Sequence, residues 1–251
     1  MRQCRRHGTE DSYPAGGIAP PPARSYRYYD LVLAGFVTVY LCSNLIGPAK
    51  AAQLDLPLIG VFTFGAGVLF FPLSYVFGDI LTEVYGYARA RKVIWAGFCA
   101  MGFAALMATV VVALPAAAGW PNQAAYETVF GQTPRIVAAS MIAYFCGEFV
   151  NSYVLAKMKV ATGGSKMSVR FVVSTLFGEG VDSMLFYPIA FFGIWNNDLL
   201  LKVMLAQWGL KVLVEIVMLP ITLRIVRALK RAEQEDYFDH NTRFTPFSLK
   251  T

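Results

Sequence analysis

Glu179 and Asp182 stand three residues apart near the middle of an apolar run, a spacing that puts both carboxyls on one face of a helix. Thr175 extends that face and Phe186 follows it. The apolar run before it carries Glu148, with Asn151 three residues on and Tyr144 four back. The run after it carries Lys211 and Glu215, four apart, with Gln207 one turn earlier. A fourth run holds Asp79 and Glu83 toward one end. Ionisable groups inside hydrocarbon are costly, and by default they mark function. Two carboxylates on one face cannot both ionise cheaply there without a cation or hydrogen-bond donors. Five acids (Asp79, Glu148, Glu179, Asp182, Glu215) face a single base, Lys211. Some of these acids are therefore protonated, or await donors from a ligand, or pass protons, and each alternative suits a transporter. Two blander expectations stand beside this: Lys211 with Glu215 as a local pair one helical turn apart, and Glu83 as an interfacial, solvated acid.

The acids share a local pattern. Gly78-Asp79, Gly147-Glu148 and Gly178-Glu179 are each followed, three residues after the acid, by a polar residue: Thr82, Asn151 and Asp182. A small residue lets two helices approach, so the neighbouring polar face points at a partner helix rather than at lipid.

Six apolar stretches are long enough to position these residues across a bilayer, which takes about 20 apolar residues each. They run over 29–46, 56–81, 93–114, 135–155, 169–194 and 201–225. The second contains Gly60, Gly65, Gly67 and Pro72, which predict a kink or a break of the kind tolerated where backbone lines a cavity. The expected fold class is all-α, a polytopic bundle of six transmembrane helices. Lys and Arg in the seven connecting and terminal segments alternate between rich and poor, eighteen against three in total. The positive-inside rule then puts both termini in the cytoplasm. Residues 1–28, basic and with Pro20-Pro21-Pro22, read as a disordered tail, 29–227 as the membrane domain, and 228–251 as a cytoplasmic tail, a solvated helix end running into a loose acidic segment.

Composition agrees. Of 251 residues, 56% are hydrophobic and 15% charged, against roughly 25% charged in soluble domains, and the mean hydropathy is +0.49. The net charge of +6 is explained by topology, because the basic residues cluster between apolar runs; nucleic acid is not an expected partner. The four cysteines are scattered and the two histidines lie in the tails, so no metal or cofactor is expected. Gly163-Gly164-Ser165-Lys166 is not a P-loop: its lysine does not follow a glycine and no strand precedes it. No HExxH or GxSxG occurs, and an enzyme is not expected.

Several stretches taken together resemble the queuosine precursor transporters, also grouped as the vitamin uptake transporter family. They are Phe71-Pro72-Leu73-Ser74-Tyr75 leading to Asp79, Glu83, Tyr85-Gly86 and Ala88-Arg89; Ser140 through Tyr144 leading to Gly147 and Asn151; Arg170, Ser174-Thr175-Leu176-Phe177-Gly178, Asp182 and Phe186 to Phe191; and Lys211-Val212-Leu213 with Pro220. Ser43-Asn44 also fits, and the whole spans roughly 30–225 in order. The resemblance implies an inner-membrane importer of 7-cyano-7-deazaguanine or its aminomethyl relative, with the bilayer and a deazapurine as partners and a homo-oligomer left open. Glu148 and Asn151 stand where Gln and Asp are commoner, and Glu179 where Gln is common; these departures bear on the substrate more than on the fold.

A guanine-like edge presents adjacent N–H donors, which a carboxylate accepts in parallel. Asp182 and Glu179 are expected to read that edge. Asn151, Gln207 or Asn44 would pair with the ring carbonyl or a ring nitrogen, and Phe186, Tyr144, Tyr75 or Trp208 would stack on the ring. Asp79 and Glu148 would line the site or its exit, and Lys211 would neutralise an acid. The rival readings are an importer of another purine-like or vitamin-like solute, and a structural or assembly protein whose polar faces only join helices.

Overall fold

The computed structural model describes residues 25–46, 51–56, 60–65, 70–131 and 134–248. Most of the expected disordered tail, the Gly47-Pro48 end of the first apolar stretch and Gly67 lie outside them.

The order of elements is α1 (Tyr29–Leu45), a hairpin of β1 (Ala51–Leu56) and β2 (Gly60–Gly65), α2 (Phe71–Ile80) continued by a π-helical turn (Leu81–Tyr85), α3 (Tyr87–Ala113), a short α4 (Gln123–Phe130), α5 (Pro134–Ala161), α6 (Met167–Phe191) and α7 (Asn197–Glu233). The architecture is a helical bundle, but not purely so. The expected helix over 56–81 is replaced in its first half by the antiparallel hairpin, with Ala51 opposite Gly65 and Leu56 opposite Gly60. The Val-Phe-Thr-Phe run between Gly60 and Gly65 has strand propensity, and the flanking glycines disfavour helix. The helix starts only at Phe71, with proline in its first turn, where the missing N–H costs nothing. Gly86, at φ 84°, then breaks the chain between the π turn and α3. Arg89, Arg91 and Lys92, expected in a connection, are therefore helical.

α5 and α6 pack against each other most extensively, α7 lies on α6 and α2, and α1 and α3 close the other side. The three glycines of the shared pattern all sit at these crossings. A Cβ on Gly147 would lie 2.9 Å from the Gly178 carbonyl oxygen and 2.9 Å from Asp182 Cβ; one on Gly178 would lie 2.7 Å from Asn151 Cβ; one on Gly78 would strike the Glu148 carboxyl. Close approach at glycine delivers the adjacent acids to a common interior. Gly178→Ala should therefore lower stability by about 1–3 kcal/mol, because rigid backbone and Cβ atoms must move aside. Gly209→Ala, facing open space, should be neutral or stabilising. Thermal unfolding in detergent compares the two.

Polarity is inverted relative to a soluble protein. Phe103, Leu106, Phe177, Met184, Leu213 and Val217 are exposed, while Asp79, Glu83, Arg170, Glu179 and Glu215 are buried. Among the described residues, Tyr87–Ala113 is the one helix long and apolar enough by itself to cross a membrane, and Tyr29–Leu45 is apolar but shorter. α5, α6 and α7 are long, but they carry the inward-facing charges that lower their mean hydropathy.

One end of the bundle is tied by residues 26–28 and by the close of α7 with the segment that follows it. The backbone N–H groups of Arg27 and Tyr28 donate to Glu233 (3.0 and 2.7 Å), and the Tyr26 hydroxyl donates to Glu235 (2.9 Å). The segment after α7, expected to be loose, is held instead. Tyr87 N donates to Asp239, Arg91 donates to the carbonyls of Arg243 and Thr245, and Trp95 donates to the Pro246 carbonyl. At the same end Glu83 is fully buried rather than solvated. Its Oε1 accepts from Arg170 (2.7 Å) and Lys230 (2.6 Å), and Lys159 Nζ stands 3.6 Å away. Asp236 bridges Lys159 (2.5 Å) and Lys230 (2.7 Å). Partial burial pushes its carboxyl up, but the two lysines outweigh that and hold it below the usual carboxylate range. Spacing showed where Glu83 sits along the chain, but not that three cations converge on it from α5, α6 and α7.

Candidate functional site

Between α2, α5 and α6 lies a narrow cleft, about 270 Å³ of atom-free space counting its open mouth. Tyr75 of α2, Tyr144, Gly147, Glu148 and Asn151 of α5, and Thr175, Gly178, Glu179 and Asp182 of α6 line it. On α5 and α6 the lining recurs every three or four residues, so each helix turns one polar stripe inward.

Lys211 of α7 supplies the positive charge. Its Nζ lies 2.8 Å from Glu179 Oε2 and 2.5 Å from Asp182 Oδ2. It reaches across to α6 rather than along its own helix to Glu215, neither of whose carboxyl oxygens accepts a hydrogen bond. The local-pair expectation fails because the α6 carboxyls offer Lys211 a bridge between two acids. The Tyr75 hydroxyl is within hydrogen-bonding reach of Glu179. Behind the cavity Asn151 Nδ2 donates to Asp79 Oδ1 (3.1 Å), which ties α2 to α5. Asp79 is fully buried.

Seven of the eleven expected site residues meet here around or directly behind the cavity: Glu148, Asn151, Thr175, Glu179, Asp182 and Tyr144 in its lining and Lys211 on its acids. Asp79 joins through Asn151. Three fall elsewhere. Asn44 turns back on its own helix, donating to the Tyr40 carbonyl (2.9 Å) and Ser43 Oγ (3.1 Å). Gln207 is half-buried and outside the lining. Phe186 packs on Tyr187 and Phe191, in an aromatic group that Trp195 completes by stacking on Phe191 at 3.9 Å. Trp208 donates its indole N–H to the Leu176 carbonyl and also lies outside the lining. Of the stacking candidates, Tyr75 and Tyr144 face the cavity.

One aromatic was missed. Tyr40 is buried and stacks on Tyr144 with ring centroids 4.0 Å apart. Its position three before Ser43 and four before Asn44 marks a polar face on α1, and that signal could have found it. Both tyrosine hydroxyls lack a hydrogen-bond partner, as do Thr175 Oγ1, Ser183 Oγ and Asn151 Oδ1. Buried polar atoms are normally paired, so this set amounts to unfilled hydrogen-bonding capacity around an acid-rich cavity. The arrangement suits a flat solute that carries N–H donors and an aromatic face. Among the described residues no cluster of His, Cys, Asp and Glu is arranged to hold a metal ion.

Comparison with known proteins agrees with the resemblance. A family model described as "Putative vitamin uptake transporter" matches residues 65–225. The "Probable queuosine precursor transporter" of Bacillus subtilis (strain 168) is 28% identical over 190 residues, covering 75% of this chain and 80% of that protein. The "Queuosine precursor transporter" of Escherichia coli (strain K12) is 26% identical over 171 residues, 66% of this chain and 73% of its own. No solved structure matches. The family match begins at the end of the hairpin and runs through the cavity helices to beyond Pro220, so the inward-facing acids all lie within it. With its apolar exterior, its charged interior and this match, the chain belongs to the vitamin uptake transporter family and is a membrane transporter, not an enzyme.

Proposed function

We propose that this transporter imports a queuosine precursor, 7-cyano-7-deazaguanine or 7-aminomethyl-7-deazaguanine, across the cytoplasmic membrane. The observation that carries this reading is the pairing of two α6 carboxyls, bridged by Lys211, with the stacked Tyr40 and Tyr144 rings beside one cavity. Glu179 and Asp182 accept the adjacent N–H donors of the guanine-like edge, in the parallel geometry a carboxylate favours. Tyr144 or Tyr75 covers the ring face. Glu148 lines the path, and an aminomethyl cation would draw on the acid excess. Lys211 offsets the charge of the two acids it bridges.

The orientation follows from charge. The end where Tyr26–Tyr28 meet Glu233 and Glu235 also gathers Arg89, Lys159, Arg170 and Lys230, and the positive-inside rule makes it cytoplasmic, with both termini there and the chain multi-pass. Uptake is facilitated or proton-coupled.

Proteoliposomes of the pure protein should take up labelled 7-cyano-7-deazaguanine saturably. Glu179→Gln with Asp182→Asn should reduce uptake by about 100-fold or more, since losing two charge-assisted hydrogen-bond sites costs about 3 kcal/mol or more. Undiminished uptake by the double variant would remove these acids from the site.

A further inference from the structure

Glu215 has no part in the lining of the cavity, and its surroundings are unusual. It projects from α7 toward Asp79 of α2, and the two carboxyls are within hydrogen-bonding reach of each other. Both residues are shut off from solvent, Asp79 at 0% and Glu215 at 1% exposure. Of their four oxygens, one accepts a hydrogen bond from Asn151; Asp79 Oδ2 and both Glu215 oxygens accept none. The other charged groups facing the pair are Glu148 of α5, Glu179 of α6 and, on the continuation of α2, Glu83, and all are acids. Lys211 sits on Glu179 and Asp182.

Two bare carboxylates in such a place repel without compensation. One proton shared between them turns repulsion into a short O–H···O⁻ hydrogen bond and satisfies two of the unpartnered oxygens. We propose that Asp79 and Glu215 form a proton-carrying site, and that the proton they hold crosses the membrane with the solute. This rests on the importer reading above and deepens it by naming the driving ion and its carrier. Asn151 is the link between the two sites. It lines the cavity, its amide N–H binds Asp79, and its own carbonyl oxygen has no partner. A solute that hydrogen-bonds that oxygen fixes the amide and, through it, the α2 carboxyl. When the solute leaves, that restraint goes with it, the pair opens, and the proton is lost to the same side. One solute and one proton move together, and the pair returns as it began once a proton is taken up from outside.

The test uses the full chain in proteoliposomes, with Glu215→Gln as the variant. Infrared difference spectra at neutral pH should show a protonated-carboxyl band in the wild type that is lost in Glu215→Gln; this requires no solute. Counterflow of 7-cyano-7-deazaguanine, which needs no driving force, should persist in the variant. An inward gradient of one pH unit should raise wild-type accumulation by up to about tenfold for one proton per solute and leave the variant unaffected. A pH dye inside the vesicles should record solute-induced acidification in the wild type. Absence of the carboxyl band overturns the shared proton, whether or not the variant folds. Wild-type counterflow without acidification overturns coupling. Failure of wild-type counterflow itself, with the band present, contradicts the solute assignment and leaves the proton site standing.

Discussion

Lys211→Met should abolish transport and destabilise the protein by about 3 kcal/mol, the lower end of the cost of breaking a buried ion pair by removing one partner, because Glu179 is buried while Lys211 and Asp182 are partly exposed. Lys211 is the charge that allows Glu179 and Asp182 to stand side by side, with its Nζ 2.8 and 2.5 Å from them. Without it two carboxylates face a narrow cavity with the Tyr75 hydroxyl as the remaining neighbouring donor to Glu179. Adding Glu179→Gln and Asp182→Asn to Lys211→Met removes the uncompensated charge, so the triple variant should recover most of the stability while staying inactive. Thermal unfolding measures the first effect and proteoliposome uptake the second. Equal stability of the single and triple variants would mean that Lys211 holds the helices through packing of its stem rather than through charge.

Glu83→Gln should produce the second large loss, about 3–5 kcal/mol, at the moored end of the bundle. Three cations from three helices converge around Glu83 and Asp236, and Glu83 is the buried one of the two acids. Removing its charge leaves Arg170, fully buried, without its carboxylate, and sets Lys159 and Lys230 against each other around Asp236 alone. The segment after α7 is moored there through Asp236 and through the Tyr237 carbonyl, which accepts from Lys159 at 2.8 Å. Limited proteolysis should therefore cut residues 234–248 faster in Glu83→Gln than in wild type. Glu235→Gln keeps an acceptor for the Tyr26 hydroxyl, removes only the charge assistance of that half-buried hydrogen bond, and should cost about 1 kcal/mol or less. Similar effects of the two substitutions would deny Glu83 its central place.

α2 and its π turn join the interior to the moored end. Asp79 faces the interior and Glu83 faces the cation cluster, four residues further on and less than one turn of wider helix away. A movement of this element that served the cavity would be felt at the moored end, and the reverse also holds. The hairpin before α2 and Gly86 after it leave the element short and bounded at both ends.

Much of the interior was legible because helical spacing fixes which residues share a face. Glu179 with Asp182, Glu148 with Asn151 and Tyr144, and the three glycines beside the acids all followed from intervals of three and four, and the structure groups them on inward stripes. Spacing does not fix which partner a long side chain chooses. Lys211 has Glu215 one turn away on its own helix, and it crosses to α6, where two acids converge. Asn44 is at the right depth of a polar face and bonds its own backbone instead. Phe186 follows the acid stripe in sequence, but its ring joins Tyr187 and Phe191. The hairpin was hidden because an apolar run of Val, Phe, Thr and Gly reads as membrane helix by hydropathy and as strand by propensity, and length favoured the helix. The mooring of residues 234–248 was invisible because it depends mostly on backbone carbonyls, which composition does not reveal.

The central claim is that the α6 acids bind a deazaguanine, and ligand-dependent stability of the purified protein tests it most directly. With 7-cyano-7-deazaguanine at 100 times its dissociation constant the wild type should gain about 2.7 kcal/mol against unfolding. Glu179→Gln with Asp182→Asn should gain nothing at the same concentration. An equal gain in both proteins, or no gain in the wild type at any concentration, would contradict the account.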